Sequence, residues 1–204
     1  MSRAKYHHGD LRAALIDAAT ALVEEAGPDG ASMREAARRA GVSSAAPYRH
    51  FKDGDELMSA VAAAGHRRLL AHMAAATRGH TSPLQQYRAH GIAYVIFAVS
   101  NPHLFRVMNT ARWASAGGSP EMAAARAELD ADTLTLVQRA QAAGELVEDA
   151  PTVQMLAAQA LVHGLARMFV DGQMAEYGIG GSDAERIAEA VSDVLGVGLI
   201  PRSG

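Results

Sequence analysis

Ser32-Met-Arg-Glu-Ala-Ala-Arg-Arg-Ala-Gly-Val-Ser-Ser-Ala-Ala-Pro-Tyr-Arg-His-Phe51 reads as two short helices joined by a tight turn at Gly41. Ser32 is a good N-cap, and Glu35 three positions on completes a capping-box pattern. Ala36, Ala37 and Ala40 give the first helix a small apolar face, and Gly41 stands where a C-cap takes up the left-handed conformation. Val42 then turns inward, and Ser43 or Ser44 caps a second helix. With Ser44 as the cap, Pro47 falls in the first turn, where its missing N–H is one that no helix pairs. A helix pair of this form places its second helix in a DNA groove. Small side chains at Ser44, Ala45 and Ala46 allow close approach to base edges, including apolar contact with thymine methyls. Arg34, Tyr48, His50 and Lys52 are suited to phosphate contacts. Ser32, Ser43 and Pro47 complete the expected DNA-contact set.

Working outward, the pattern begins at Tyr6-His-His-Gly-Asp-Leu-Arg12 and runs through Ala18-Ala19 and Gly27 to Glu56-Leu57. This stretch resembles the N-terminal domain of the TetR family of bacterial transcription regulators. One departure is visible: many members carry a Lys near the start of the helix after Phe51, where this chain has Gly54. The resemblance implies a phosphate contact that is either absent here or supplied by Lys52. A three-helix docking module without DNA function is the alternative reading of the same residues.

The net charge of −3 argues at first against a nucleic-acid partner. Its distribution qualifies that. Residues 1–52 carry eight basic side chains (Arg3 and Lys5 among them) and six acidic ones, a balance of +2 that leaves −5 for the remainder. A mildly basic head on an acidic body suits a groove binder. Cys is absent, which excludes disulfides, thiolate metal sites and a Cys nucleophile. The polar N-terminus carries no signal-peptide pattern, and no continuous apolar run approaches the length of a membrane span. A soluble cytoplasmic protein without a membrane partner is expected.

The periodicity is helical throughout, predicting an all-α protein of about nine helices with no strand. Asp10 is expected to cap a helix reaching about Ala26, which Gly27-Pro-Asp-Gly30 breaks. Asp53 should cap a long helix to about Arg78. Further helices should open at Pro83 and at Pro102, the latter reaching about Ala114. Gly117-Gly118-Ser-Pro120 reads as a loop and helix start, with that helix ending near Gly144. The last two helices should run from Pro151 to about Glu176 and from Asp183 to about Leu195. These elements divide into a three-helix helix-turn-helix DNA-binding domain at 1–56 and a larger helical effector-binding and dimerisation domain at 57–204, with the border inside the long helix.

The body carries a second resemblance. Tyr87-Arg-Ala-His-Gly-Ile-Ala-Tyr-Val-Ile-Phe-Ala-Val-Ser-Asn-Pro-His-Leu-Phe-Arg-Val-Met108 and Ala160-Leu-Val-His-Gly-Leu-Ala166 are similar to the TetR C-terminal subclass named for a Trp/His-Gly signature. Gln159 stands near the position where that subclass carries Trp.

Tyr94, Phe97, Met108, Trp113 and His163 are the candidate walls of a pocket for a small, largely apolar effector. Arg167, with His90 or Arg106, would supply its polar contacts; Tyr87, Tyr94 and Phe97 also fit an ordinary core. Leu156, Ala160, Gly164 and Met168, with Ile187, Val191, Val194 and Leu195, give two apolar faces too large for a pair of helices to bury alone. They predict a homodimer through a four-helix bundle. No His pair has the i, i+4 spacing of a helical metal site, and no nucleophile motif or fixed acid–base pair is present. Neither a metal, a cofactor nor catalysis is expected. The sequence therefore predicts a homodimeric repressor, released from a palindromic double-stranded operator by an unidentified small molecule. The alternatives are a constitutive DNA-binding regulator and an all-helical enzyme or carrier.

Overall fold

The computed structural model describes residues 8–114 and 119–199; Arg3, Lys5, Tyr6, His7, Gly117 and Gly118 lie outside them. Nine α-helices and no strand occur among the described residues. They are α1 (His8–Ala26), α2 (Met33–Arg39), α3 (Gly54–Ala76), α4 (Pro83–Ser100), α5 (Pro102–Asn109), α6 (Ala111–Ala114), α7 (Pro120–Ala142), α8 (Pro151–Val170) and α9 (Ala184–Leu199). Short 3₁₀ segments lie at Pro28–Gly30, Pro47–Arg49, Gln173–Tyr177 and Gly181–Asp183.

Four helices begin on proline, at Pro83, Pro102, Pro120 and Pro151. At that position the fixed φ suits a helix and the missing N–H is not needed. Other ends differ from expectation. α1 begins at His8, ahead of the cap expected at Asp10. α5 stops at Asn109 instead of running to Ala114; Thr110 adopts extended backbone before α6. α8 ends at Val170 and not near Glu176, because Gly172 takes a left-handed conformation (φ 79°) and starts the 3₁₀ turn. α9 opens at Ala184, with the Asp183 carboxylate accepting from the Gly180 N–H.

The chain forms two compact units, the first comprising 1–66 and 101–126, the second 67–100 and 127–204. The first unit thus extends beyond the segment 1–56 read from the sequence, because α5, α6 and the start of α7 join it. Its core holds Leu15, Ala19 and Val23 of α1, Ala36 and Ala37 of α2, Phe51 just ahead of α3, Leu57 and Val61 of α3, and Leu104, Phe105 and Met108 of α5. Gly65 permits a close approach here, since a Cβ on it would lie 2.7 Å from Met108 Cγ. Arg12 closes one side: its guanidinium lies 5.2 Å from the Phe51 ring centre and pairs with Glu121 at 2.9 Å.

In the second unit α4 packs against α8 and α9. One cluster joins Tyr87, Leu136, Val137, Ala140, Leu146 and Met155; another joins Val95, Leu165, Met174 and Ala188. Glu145 fixes the start of α4 by accepting from the Ser82 hydroxyl and the Leu84 N–H, both at 2.7 Å. A carboxylate at a helix N-terminus also complements the dipole. α8 meets the length and mean hydropathy (1.3) of a bilayer-crossing helix, which the sequence reading did not expect. One of its sides is covered by α4 and α9.

Candidate DNA-binding surface and effector cavity

The helix-turn-helix forms by the local rules its sequence follows. The Ser32 hydroxyl accepts from the Glu35 N–H at 3.2 Å, and α2 starts there. The reciprocal half of the capping box is replaced, because the Glu35 carboxylate accepts from Arg38 Nε at 2.9 Å. That charge-assisted contact holds the Glu35 carboxyl below its ordinary range. At the other end Gly41 has φ 72°, its N–H donates to Arg38 O, and Val42 N–H donates to Ala37 O at 3.0 Å. These two bonds make a Schellman turn, which needs a residue at ease in the left-handed region. Arg39 ties α2 to α1 by donating to Glu25 at 2.6 Å.

The second helix differs from expectation. Residues 44–46 form turns, and Pro47–Arg49 is one turn of 3₁₀ helix. The bond that would open an α-helix at Ser43 runs from the N–H of residue 47, and Pro47 has none. Ser43 O accepts instead from Ala46 N–H at 3.0 Å, and Arg49 N–H donates to Ala46 O. Pro47 itself is buried, so its role is packing. Ser32, Arg34, Ser43, Ser44, Ala45 and Lys52 are exposed, Tyr48 is 65% exposed, and Ala46 and His50 are half-buried. Asp53 caps α3 by accepting from the Glu56 N–H, and Glu56 in turn accepts from the Lys52 N–H. The backbone at Lys52 is thereby fixed while its side chain remains in solvent.

The second unit contains a cavity of about 110 Å³ lined by one face of α4 (Leu84, Tyr87, Arg88, Gly91, Tyr94, with His90), by Leu129 and Thr133 of α7, by Leu146, by Gln159 and Val162 of α8, and by Asp193 and Leu195 of α9. The spacing along α4 is that of one helical stripe. Among the described residues, three buried polar atoms of lining residues have no hydrogen-bond partner: the Tyr87 hydroxyl, Arg88 Nε and His90 Nδ1. His90 Nε2 lies 3.1 Å from Thr133 Oγ1, whose own proton goes to Leu129 O at 2.9 Å. His90 Nδ1 lies 3.8 Å from the Asp132 carboxylate. Burial holds His90 below its ordinary pKa, with Asp132 pulling weakly the other way. Burial also raises the Tyr87 hydroxyl from 10.0 to about 12.

Of the residues expected to form a pocket, Tyr94 lines this cavity, and its hydroxyl lies 2.8 Å from His163 Nδ1. Phe97 is buried beside His72. Arg167 is not a lining residue; it pairs with Asp171 at 2.9 Å. Met108 and Trp113, expected as pocket walls, instead belong to the first unit. Met108 is buried opposite Gly65, and Trp113 Nε1 donates to Asp55 at 3.0 Å. Arg106 also belongs to the first unit, whereas His90 is at the cavity. Sequence reasoning did not select Arg88, Thr133 or Asp193 as pocket residues. The α4 stripe was legible, but its partners on α7 and α9 depend on tertiary packing.

Of the expected dimer residues, Leu156 (54%), Ala160, Gly164 and Val194 (76%) are exposed. Met168, Ile187 and Val191 pack partly into the α4–α8–α9 core, and Leu195 is half-buried at the cavity.

Residues 15–61 match the family described as bacterial regulatory proteins, tetR family. Residues 87–195, more than half of the chain, match the tetracyclin repressor-like C-terminal domain. A protein of unknown function from Rhodococcus sp. RHA1 is 32% identical over 98% of this chain and 100% of its own, with a TM-score of 0.82. TetR-family regulators from Marinobacter aquaeolei VT8 (18% identity, TM-score 0.68, 94% of this chain and 96% of that one) and Thermobifida fusca YX-ER1 (23%, 0.67, 93% and 98%) share the fold. No curated protein matches. With its helix-turn-helix and its C-terminal helices both matched, the chain belongs to the TetR family of transcription regulators.

Proposed function

We propose that this TetR-family protein is a cytoplasmic, non-enzymatic repressor that binds a palindromic operator as a homodimer and is released by a small-molecule effector. The observation that carries the reading is the Ser32-capped α2 followed by the turn at Gly41 and the Pro47–Arg49 segment, whose exposed edge presents Ser44, Ala45, Tyr48 and Lys52. Ser32, Arg34, Tyr48, His50 and Lys52 would hold phosphates, while Ser43 to Ala46 approach base edges. Half-site centres would lie roughly one turn, ~34–36 Å, apart. The exposed Leu156, Ala160, Gly164 and Val194 supply the dimer face, with Met168, Ile187, Val191 and Leu195 beneath or beside them. The effector would bind at the Tyr94–His163 side of the second unit; His163-Gly164 supports placing the chain with the Trp/His-Gly subclass. Met108, Trp113, Phe97 and Arg167 would then stabilise the fold instead of touching the effector.

Selection from random duplex DNA, followed by fluorescence anisotropy across a salt series, tests the reading. The expected result is a two-fold symmetric site. Lys52→Ala should weaken binding to all sequences and reduce the salt slope by about one. Absence of sequence preference, or a monomer by light scattering at micromolar concentration, would overturn it.

A further inference from the structure

The basic excess of the head lies ahead of its first helix. From His8 to Lys52 six basic side chains face six acidic ones, so this stretch is neutral. The balance of +2 over residues 1–52 is carried by Arg3 and Lys5 alone. Three of the six cations between His8 and Lys52 are also paired within the first unit: Arg12 with Glu121, Arg38 with Glu35 and Arg39 with Glu25. Arg34, Arg49 and Lys52 remain at the surface. A neutral head with half of its cations engaged is a weak partner for a polyanion. Resting on the DNA-binding reading above, we propose that the segment preceding α1 makes a second contact with DNA, in which Arg3 and Lys5 bind backbone phosphates flanking each half-site.

The first unit places the start of that segment where such a contact is within reach. The Arg12 guanidinium lies 5.2 Å from the centre of the Phe51 ring. Phe51 stands directly between His50 and Lys52. α1 starts at His8, four residues before Arg12, or about 6 Å along a helix axis. The chain thus enters α1 about one helical turn from the edge that carries Tyr48 and Lys52. Lys5 and Arg3 stand three and five residues ahead of His8. Extended chain spans at most ~11 Å and ~18 Å over those lengths. A duplex carries one phosphate charge per ~1.7 Å of its axis, so DNA seated on Tyr48 and Lys52 has phosphates inside that radius.

The kind of contact follows from the residue types. Glu121, which α7 brings to Arg12, is already engaged by it. Arg3 and Lys5 bring positive charge, and each phosphate contact they make releases counterions from the duplex. That gain is electrostatic and indifferent to base sequence. The segment therefore adds affinity and salt dependence, while the choice of bases stays with Ser43 to Ala46.

Fluorescence anisotropy of the full chain tests this, on its selected operator and on an unrelated duplex, each across a salt series. Arg3→Gln/Lys5→Gln should reduce the salt slope by about two per chain, twice the effect of Lys52→Ala. It should weaken binding to both duplexes at least about tenfold at ~0.1 M salt. The base preferences of the selected site and the thermal unfolding midpoint should stay as they are. Arg3→Lys/Lys5→Arg keeps both charges and should keep both slope and affinity. An unchanged slope in the double Gln variant, altered base preferences, or an equal loss in the charge-keeping exchange would each overturn the proposal. A lowered unfolding midpoint would also overturn it, by showing that Arg3 and Lys5 pair within the protein. If the unaltered chain binds no duplex, the DNA-binding reading fails and this contact with it. If it binds its operator and the double Gln variant binds equally well, the second contact alone fails.

Discussion

In the first unit the buried polar side chains are each tied to a backbone carbonyl: Thr20 to Ile16, Ser59 to Trp113 and His66 to Ala62. In the second, Gln154 is similarly satisfied at Val147, but Tyr87, Arg88 and His90 keep unpartnered atoms. All three of these residues line one cavity. Orphaned polar groups scattered through a core would point to loose packing. Among the described residues they are confined to one turn of α4. The first unit instead keeps its functional groups at the surface, where Tyr48 and Lys52 meet solvent over a closed core. One region presents polar groups at its surface, the other keeps them inside.

The contrast is most easily broken at Phe51. This ring is fully buried in the first unit and lies under the Arg12 guanidinium. Phe51→Ala should cost ~3–5 kcal/mol, read by urea unfolding through the fluorescence of Trp113, which belongs to the same unit. A loss below about 1 kcal/mol would show that the first core tolerates voids as the second does. Removing the Tyr87 hydroxyl from the second unit should instead change stability by less than ~0.5 kcal/mol or increase it, since no partner is lost.

A smaller effect should appear with pH. His90 is held neutral by burial, so below its ordinary pKa of 6.5 the unfolded chain takes up a proton that the folded chain resists. Its contribution to stability is complete above 6.5 and is lost as pH falls, at no more than ~1.4 kcal/mol per pH unit for one proton. The Asp132 carboxylate moderates this limb. Tyr87 acts at the other extreme: its hydroxyl stays protonated in the fold to about 12 and in the unfolded chain only to 10.0, so stability is lost as pH rises between them. Urea unfolding across pH should show both limbs. Tyr87→Phe should remove the alkaline one and His90→Asn should flatten the acid one. Two unchanged limbs would separate these residues from the titration.

Much of the fold was legible because its punctuation is local. Prolines mark the starts of α4, α5, α7 and α8, and Gly41, Gly144 and Gly172 stand at positive φ where helices end. The Ser32 cap and the Gly41 turn were readable for the same reason, and so was the exposed character of Tyr48 and Lys52. What escaped was set by distance along the chain. Leu104, Phe105, Val107 and Met108 look alike whichever core they enter, and nothing in the periodicity of α5 assigns it to the first unit. Met108 and Trp113 were drawn to a pocket by their residue types, but Gly65 and Asp55 hold them elsewhere. The polar half of the cavity was hidden similarly, since the orphaned state of Tyr87 and His90 depends on which side chains α7 and α9 bring beside them. The second helix was misjudged locally: Pro47 fits the first turn of an α-helix, yet here it shortens that helix to a single 3₁₀ turn.

The smallest expected effect compares two glycines within the second unit. Gly91 of α4 lines the cavity, and a Cβ there would meet Val162 at 3.4 Å; Gly164 of α8 is exposed, and a Cβ there would meet nothing within 4 Å. Both are interior to helices, where Gly is ~1 kcal/mol worse than Ala. Gly91→Ala should stabilise the fold by ~0.5–1 kcal/mol through propensity and by narrowing the cavity. Gly164→Ala should stabilise a chain kept monomeric by Leu156→Glu to the same extent, since its new methyl group enters open space. In the unaltered background that methyl group stands on the face proposed to meet a second copy, where close packing would leave no room for it. Dimer affinity measured by analytical ultracentrifugation should therefore fall while intrinsic stability rises. If Gly164→Ala raises stability and leaves association untouched, the dimer face does not pass over Gly164, and the exposed Leu156 and Val194 belong to a different contact.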